Sequence, residues 1–249
     1  MSIYIKRLDI VDSTNRYARD EAAVLWDAAG DRDVVAVTAG HQTAGRGQSG
    51  NVWQSQSGSN LLLSLLVRPG TALEVGNQFL LSQVAAVAMY RAMKEFGIEV
   101  KLKWPNDIYV GNRKLAGILI ELDYSGRYIE QAIIGIGLNV NQSEFASMDR
   151  VPVSMKILLG KEVAVDDVLC QVLDSFGHYY IMLLRGDNEP IVAEYSSLLL
   201  GLGEERRFVD AGGAFAAVID GVEPTGHLLL RRADGTLSRY AFKEVEQPM

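Results

Sequence analysis

The residues best suited to chemistry begin with a glycine-rich stretch, residues 41–53, which reads HQTAGRGQSGNVW. Glycine loses more conformational freedom on ordering than any other residue, so this many glycines in one segment need a reason. They allow positive φ angles and let backbone N–H groups approach an anion, and Arg46 adds a permanent cation. The stretch matches neither the Walker A motif nor a GxGxxG that opens a helix. The pattern therefore indicates either a mobile surface loop or a loop that holds an anion in another way.

A second candidate stretch, residues 101–117, reads KLKWPNDIYVGNRKLAG. Its Pro-Asn-Asp sequence ends a strand sharply and turns polar side chains away from the hydrogen-bond ladder. One interpretation is an exposed turn with solvated lysines. Trp104 argues against it, because a large aromatic side chain anchors a turn that must hold its position. The polar candidates of this stretch are Lys103, Asn106, Asp107 and Lys114.

Two further segments place small and polar residues at the ends of predicted elements. Ser13, Thr14 and Asn15 follow the first predicted strand. The sequence alone favours helix capping for them, although N–H donors converge at a helix start and also suit a polar ligand. Residues 135–141 (GIGLNVN) end a buried strand, where glycine lets another backbone or a flat ligand come close.

The elements that must position these residues alternate in a pattern that predicts an α+β fold. Apolar runs and successive hairpins predict a mixed, mainly antiparallel sheet with helices packed against it. Cys170 is expected to be an inert apolar filler in the third helix. The expected strands are 3–11, 34–38, 60–67, 100–104, 108–110, 114–122 and 128–140, and the expected helices are 13–28, 73–96, 166–184 and 189–200.

After residue 200 the chain changes to short strand-like runs separated by Gly, Pro and Asp-Gly turns. Such a pattern over about 48 residues predicts a small β-barrel appended to the main domain. A module of that size has little core of its own and is expected to lean on its neighbour. The expected strands here are 207–209, 214–219, 227–231 and 238–242.

Composition narrows the class of protein. The 249-residue chain has a formal net charge of −7 and is 48% apolar, which argues against a broad nucleic-acid surface. A single cysteine excludes an internal disulfide framework and a Cys-rich zinc site, and the three histidines are too scattered to suggest a metal centre. No apolar run reaches the roughly 18 residues of a membrane span, and a signal peptide is not recognisable, so a cytoplasmic protein is expected.

Taken together, the motifs resemble those of the biotin–protein ligases (biotin–[acetyl-CoA-carboxylase] ligases), over positions 1 to about 185 in the right order and spacing. The resemblance implies a fold of the class II aminoacyl-tRNA synthetase and biotin synthetase type. It also implies a catalytic domain at 1–200 and an SH3-like β-barrel at 201–249. The motifs are STN at 13–15, QTAGRG at 42–47 with Trp53 behind it, KWPND at 103–107, RKLAGIL at 113–119 and GIGLNVN at 135–141.

The resemblance implies two steps in one pocket: biotin and MgATP give biotinoyl-5′-AMP, and a lysine of a biotin carboxyl carrier protein then takes the biotinoyl group. The catalytic residues it implies are Lys114, Arg46, Asp107 and Lys103. The biotin-binding residues it implies are Ser13, Thr14, Asn15, Gln42, Arg46, Gly47, Gln48, Lys114, Gly117 and Ile118. The nucleotide-binding residues are Trp53, Asn106, Asn139 and Gly45. Mg²⁺ is expected through the ATP phosphates, with no protein ligand assigned.

Three departures from the family pattern qualify the resemblance. The usual GRGRxGRxW is GRGQSGNVW here, so Gln48 and Asn51 replace two arginines, and easier release of the adenylate is expected. Lys243 stands where the family more often has glycine, which puts the orientation of the barrel in question. The chain starts at the first catalytic strand, so the DNA binding and repressor activity of the bifunctional members are not expected.

Two other functions remain as alternatives. A lipoate–protein ligase has similar chemistry and fold, but its Arg-Arg and Gly-Gly-Gly runs are missing here. An inert biotin-binding adaptor of the same fold is opposed by the intact Arg46, Lys114 and Asp107. The sequence is compatible with a monomer or a homodimer, and no DNA or membrane partner is expected.

Overall fold

The computed structural model describes residues 1–145 and 151–248. An eight-stranded sheet forms its centre, in the order β1-β2-β3-β8-β7-β6-β5, and β4 pairs with β8. Among the described strands of this sheet only β1 and β2 run parallel, so the predicted mainly antiparallel sheet is confirmed. The strands are β1 (Ile3–Val11), β2 (Val34–Gln42), β3 (Leu61–Val67), β4 (Gly70–Glu74), β5 (Lys101–Lys103), β6 (Asp107–Val110), β7 (Arg113–Ser125) and β8 (Tyr128–Leu138).

Helices cover both faces of this sheet. Side chains alternate along a strand, and in β2 Val34 and Ala36 join the large core cluster while Val35 and Val37 join a smaller one with α1 and α2. This double burial explains why β3 is buried at every position. The helices are α1 (Thr14–Asp20), α2 (Ala22–Ala29), α3 (Phe79–Glu95), α4 (Met155–Leu159), α5 (Val165–Arg185) and α6 (Asn188–Leu198). None of the helices described has both the length and the apolar character that a membrane crossing requires.

Three expectations about the helices are wrong. The single helix expected at 13–28 is two helices, interrupted at Glu21, whose φ and ψ are −101° and 12°. The helix expected from 73 begins only at Phe79, because β4 pairs with the start of β8 and a 3₁₀ turn, Val75–Asn77, follows it. Cys170 is exposed rather than a core filler, because it lies off the buried stripe of α5.

The C-terminal part forms a separate five-stranded antiparallel sheet in the order β12-β11-β10-β9-β13. In the described residues its outermost strands, β12 and β13, do not pair with each other, so the pairing does not close into a barrel. The C-terminal sheet packs against the main domain as expected, because its buried side chains belong to the main core cluster. In addition, Trp104 Nε1 donates to the carbonyl of Gly226 at 2.9 Å. The strands of this sheet are β9 (Glu205–Asp210), β10 (Gly213–Val222), β11 (Leu228–Arg231), β12 (Leu237–Tyr240) and β13 (Val245–Glu246).

Candidate functional site

A cleft with a cavity volume of about 100 Å³ lies between the glycine-rich loop, the start of α1 and the paired strands β7 and β8. It also receives the turn before β6, so the two stretches singled out in the sequence share one cavity. The predicted site residues that line it are Ser13, Thr14, Asn15, Gln42, Arg46, Gly47, Gln48, Trp53, Asn106, Asp107, Lys114, Gly117 and Ile118. Among the residues described, no group of three or more His, Cys, Asp or Glu side chains is arranged to hold a metal ion.

The floor of the cleft is made by two glycines that face each other, Gly117 in β7 and Gly137 in β8. The indole of Trp53 lies against them: a Cβ added at Gly137 would collide with its ring, and one at Gly117 would come within 3.4 Å of it. At Gly137 glycine is therefore required for the close approach of the Trp53 ring, whereas the approach predicted for residues 135–141 was that of another backbone or a flat ligand. The Trp53 Nε1–H is buried and has no hydrogen-bond partner in the described chain, so a donor is available to a ligand.

Lys114 and Asp107 form an ion pair at one side of the cleft. Lys114 Nζ lies 2.6 Å from Asp107 Oδ1, and the Asp107 side chain is only 5% exposed against 22% for Lys114. Lys114 Nζ also lies 5.8 Å from the centre of the Trp53 ring. The Lys114 backbone is fixed on both sides, because its N–H donates to Val151 and its carbonyl accepts from Val153.

The polar residues at the start of α1 form a buried network rather than a helix cap. Ser13 occupies the N-cap position, but its side chain makes no capping bond, so the capping interpretation is wrong for Ser13. Gln42 Oε1 instead accepts from the backbone N–H of Thr14 at 2.7 Å and from its hydroxyl at 3.0 Å. Ser64, a fully buried residue that was not predicted from the sequence, has its hydroxyl oxygen 2.8 Å from Thr14 Oγ1 and 2.6 Å from Asn15 Oδ1, so it can donate to either. The feature of the sequence that could have revealed Ser64 is a single hydroxyl residue in an otherwise apolar strand.

Glu121, another residue that was not predicted from the sequence, lies beside the cleft in β7. Its Oε1 is 3.2 Å from a guanidinium nitrogen of Arg46 and 3.2 Å from one of Arg19. Its Oε2 accepts from Asn15 Nδ2 at 3.0 Å. The guanidinium group of Arg46 in the glycine-rich loop therefore forms an ion pair with the Glu121 carboxylate of the sheet. A glutamate in an alternating strand is ordinarily a solvated residue, so nothing in the sequence marked this one.

Three predicted site residues do not line the cleft. Lys103 Nζ donates to the carbonyl of Gln247 at 3.1 Å and lines a neighbouring cavity against the C-terminal sheet. Asn139 is buried and donates from Nδ2 to the carbonyl of Val153 at 3.1 Å. Gly45 lies at the base of the loop, where its carbonyl accepts from the N–H of Trp53.

Asn106 does line the cleft, and it is bound to the adjacent strand. Its Nδ2 donates to the carbonyl of Ile118 at 2.7 Å, and its own carbonyl accepts from the Ile118 N–H at 2.9 Å. The peptide bond between Trp104 and Pro105, just before it, is cis. The two hydrogen bonds between Asn106 and Ile118 fix the turn that places Asp107 beside Lys114.

Comparisons with known proteins show which family the chain is similar to. The family described as "Biotin/lipoate A/B protein ligase family" matches residues 8–139. The biotin--[acetyl-CoA-carboxylase] ligase of Paracoccus denitrificans is 30% identical over 232 residues, covering 90% of this chain and 92% of that protein. The bifunctional ligase/repressor BirA of Bacillus subtilis (strain 168) is 34% identical over 209 residues, covering 82% of this chain but only 64% of BirA. This chain thus spans less than two thirds of that relative.

Solved structures show the same relationship over nearly the whole chain. The biotin protein ligase from Aquifex aeolicus, in complex with biotin and ATP, superposes with a TM-score of 0.80 at 27% sequence identity. The match covers 98% of this chain and 99% of the Aquifex chain. Since the family match spans more than half of the sequence and the Paracoccus ligase is matched nearly end to end, the chain belongs to the biotin/lipoate A/B protein ligase family.

Proposed function

We propose that this protein is an ATP-dependent biotin–protein ligase, which activates biotin to biotinoyl-5′-AMP and transfers the biotinoyl group to a lysine of a carrier protein. The observation that carries the proposal is the cleft itself. It combines a loop cation, Arg46, an ion pair, Lys114 with Asp107, and a glycine floor on which the flat ring of Trp53 lies. The similarity to the Aquifex ligase that binds biotin and ATP supports the same assignment.

In the first step a carboxylate oxygen of biotin attacks the α-phosphorus of ATP, the new C(O)–O–P bond forms, and pyrophosphate leaves. Two anions must approach, so fixed cations in a cleft shielded from water lower the barrier. Lys114 and Arg46 are the cations of the cleft, and Lys114 is held in place by its backbone bonds. Ser13, Thr14, Asn15 and Gln42 offer the donors and acceptors that a ureido ring requires.

In the second step the amine of a carrier lysine attacks the acyl carbon, an amide forms, and AMP leaves. The amine must be neutral, whereas an ordinary lysine has a pKa near 10.4. Asp107 is placed to hold the incoming ammonium and accept its proton. Lys114 is one partner of this carboxylate in the free protein, so an ammonium group can reach Asp107 from the cleft side.

The nucleotide side of the proposal rests on Trp53, Asn106, Asn139 and Gly45. Trp53 supplies a flat ring and an unpartnered N–H in the cleft, which fits a heteroaromatic or polar ligand group. Mg²⁺ neutralises phosphate charge when it is bound with ATP. The described residues form no metal-binding cluster of their own, so the ion would be carried by the nucleotide.

The wider proposal is a cytoplasmic enzyme whose acceptor is a biotin carboxyl carrier protein of acetyl-CoA carboxylase, acting as a monomer or homodimer. Within the chain, residues 1–200 would be the catalytic domain and residues 201–249 an SH3-like domain. The change from α6 to short antiparallel strands supports that boundary. Lys103 keeps its proposed catalytic role, with its position dependent on the C-terminal segment through Gln247.

Pyrophosphate exchange into ATP tests the first step. A ligase gives exchange that depends on biotin, an inert adaptor gives none, and a lipoate ligase gives exchange with lipoate in place of biotin. Mass spectrometry of a carrier domain incubated with biotin and ATP tests the second step, and one biotinoyl group on one lysine is expected. Absence of biotin-dependent exchange by the wild-type protein would refute the proposal.

A further inference from the structure

The carboxylate of Glu121 is shared by two arginines that differ in how they are held. Arg19 belongs to α1, where it lies four residues after Asn15 and therefore on the same helix face. A guanidinium nitrogen of Arg19 lies 3.2 Å from Glu121 Oε1, and Asn15 Nδ2 donates to Glu121 Oε2 at 3.0 Å. Arg46 comes from the glycine-rich loop and reaches the same Oε1 at 3.2 Å. One of the two cations is thus fixed by a helix and the other by a loop.

The burial of the three side chains makes this sharing significant. Glu121 is only 13% exposed, whereas Arg19 and Arg46 are 45% and 42% exposed. A carboxylate that is mostly removed from water is stabilised by a charged partner. Arg19 can be that partner, together with the Asn15 amide, when Arg46 leaves. Without Arg19, the departure of Arg46 would take away the remaining cation of this cluster.

We propose that Glu121 is the resting position of the Arg46 side chain in the ligand-free protein, and that Arg19 sets how readily Arg46 leaves it for an anionic ligand in the cleft. Glu121 and Arg19 are then positioning residues, because they act on the ligand through Arg46. The ligand part of this inference rests on the proposed function. The resting position itself does not, because it concerns the free protein.

Trypsin measures the resting position directly, since it cleaves after Arg46 only when that side chain is available. In the ligand-free protein Glu121→Gln releases Arg46, so cleavage should be about 2- to 5-fold faster, the range expected for one partly exposed ion pair. Arg19→Gln leaves Arg46 as the remaining cation on Glu121, so cleavage should be slower by a similar factor. Equal rates in the three proteins, or faster cleavage in both variants, would overturn the proposal.

Ligand affinity gives the second measurement, by calorimetry with biotin and a non-hydrolysable biotinoyl-adenylate analogue. Glu121→Gln should bind the adenylate analogue about 2- to 5-fold more tightly and Arg19→Gln more weakly. In an Arg46→Gln background both effects should fall below about 2-fold, because the two residues act through Arg46. A long-range charge effect would persist in that background, and a purely structural role would weaken binding in both variants. Either result contradicts the proposal.

Thermal unfolding of each variant serves as the folding control. In Glu121→Gln the new amide oxygen can still accept from Asn15, which makes loss of folding in this variant an unexpected outcome. If it nevertheless unfolds, Arg19→Gln decides the matter alone, because only the proposal predicts slower cleavage after Arg46. If the trypsin pattern holds and the wild-type protein does not bind biotin, the proposed function fails while the resting position of Arg46 stands.

Discussion

Lys114 lies on the same face of the sheet as Asp107 because β7 contains one extra residue. Where β6 pairs with β7, Asp107 is opposite Gly117 and Ile108 is opposite Ala116. Tyr109 is then opposite Lys114, so Leu115 is the extra residue. Residues directly opposite in antiparallel strands point to the same side, so without this bulge Lys114 would point to the other face. Lys103 faces Asp107 from the other neighbour, β5. The bulge therefore makes the ion pair possible.

Separating the two half-reactions should distinguish the roles of this pair. Asp107→Asn should keep pyrophosphate exchange within about tenfold but slow transfer from preformed biotinoyl-AMP to the carrier by about 100-fold, the scale of general-base catalysis. Lys114→Ala should reduce exchange by about 100- to 1,000-fold, as for the loss of one transition-state charge donor. The exposed Lys101→Ala is the matched control and should change neither. Equal losses in both half-reactions for both variants would contradict the division of roles.

The glycine floor should tolerate no side chain. Gly137→Ala forces the indole of Trp53 off the floor, because the new Cβ would occupy the position of the ring. Biotin affinity, measured by calorimetry, should fall, and the melting temperature should drop. Gly76→Ala is the control, since its Cβ would have no atom within 4 Å and its φ is not positive. If Gly137→Ala binds biotin as tightly as Gly76→Ala, Trp53 does not have to rest on the floor.

Gln48 offers a test of how the adenylate is retained. Its side chain lines the cleft, and its Oε1 is buried with no hydrogen-bond partner in the described residues. The resemblance to the biotin–protein ligases leads us to expect arginine at this position. Gln48→Arg adds a cation that can meet the adenylate phosphate, so the off-rate of biotinoyl-AMP should fall about tenfold, as expected for one charged hydrogen bond. Gln48→Met has similar volume without charge and should not slow release. A stopped-flow release experiment that finds equal off-rates for Gln48→Arg and wild type would disprove the retention hypothesis.

Much of the strand order in the site region was predictable, because turns and apolar alternation mark β6, β7 and β8 locally. The shared cavity was also predictable from the five motifs in order. The role of Glu121 beside the site could not be predicted, because its partners, Arg19 and Arg46, come from distant earlier segments of the chain. Only tertiary packing brings these residues together. Lys103 could not be placed for a similar reason: its contact, the carbonyl of Gln247, comes from the C-terminal segment.

The helix start and the helix cap that were predicted wrongly both depend on contacts with distant parts of the chain. The start of α3 was placed too early because residues 73–78 have no strong helix breaker other than Gly76, whereas in the structure Gly70 and Glu74 pair with β8. Ser13 was assigned to capping because a hydroxyl before a helix has that role most often. The side chain of Gln42 takes its place, and a residue 28 positions away is invisible to a local pattern.

Lys243 provides a prediction about stability that is independent of the cleft. It is the non-glycine residue with a positive φ, 72°, in the described chain, and the left-handed conformation costs an L-residue about 1–2 kcal/mol. Lys243→Gly removes that strain but adds freedom to the unfolded chain, so a net stabilisation of up to about 1 kcal/mol is expected in urea unfolding. Lys243→Ala keeps a Cβ while removing the charge and should bring no such gain. If alanine stabilises the protein as much as glycine, the charge of Lys243 and not its backbone conformation is the source of the effect.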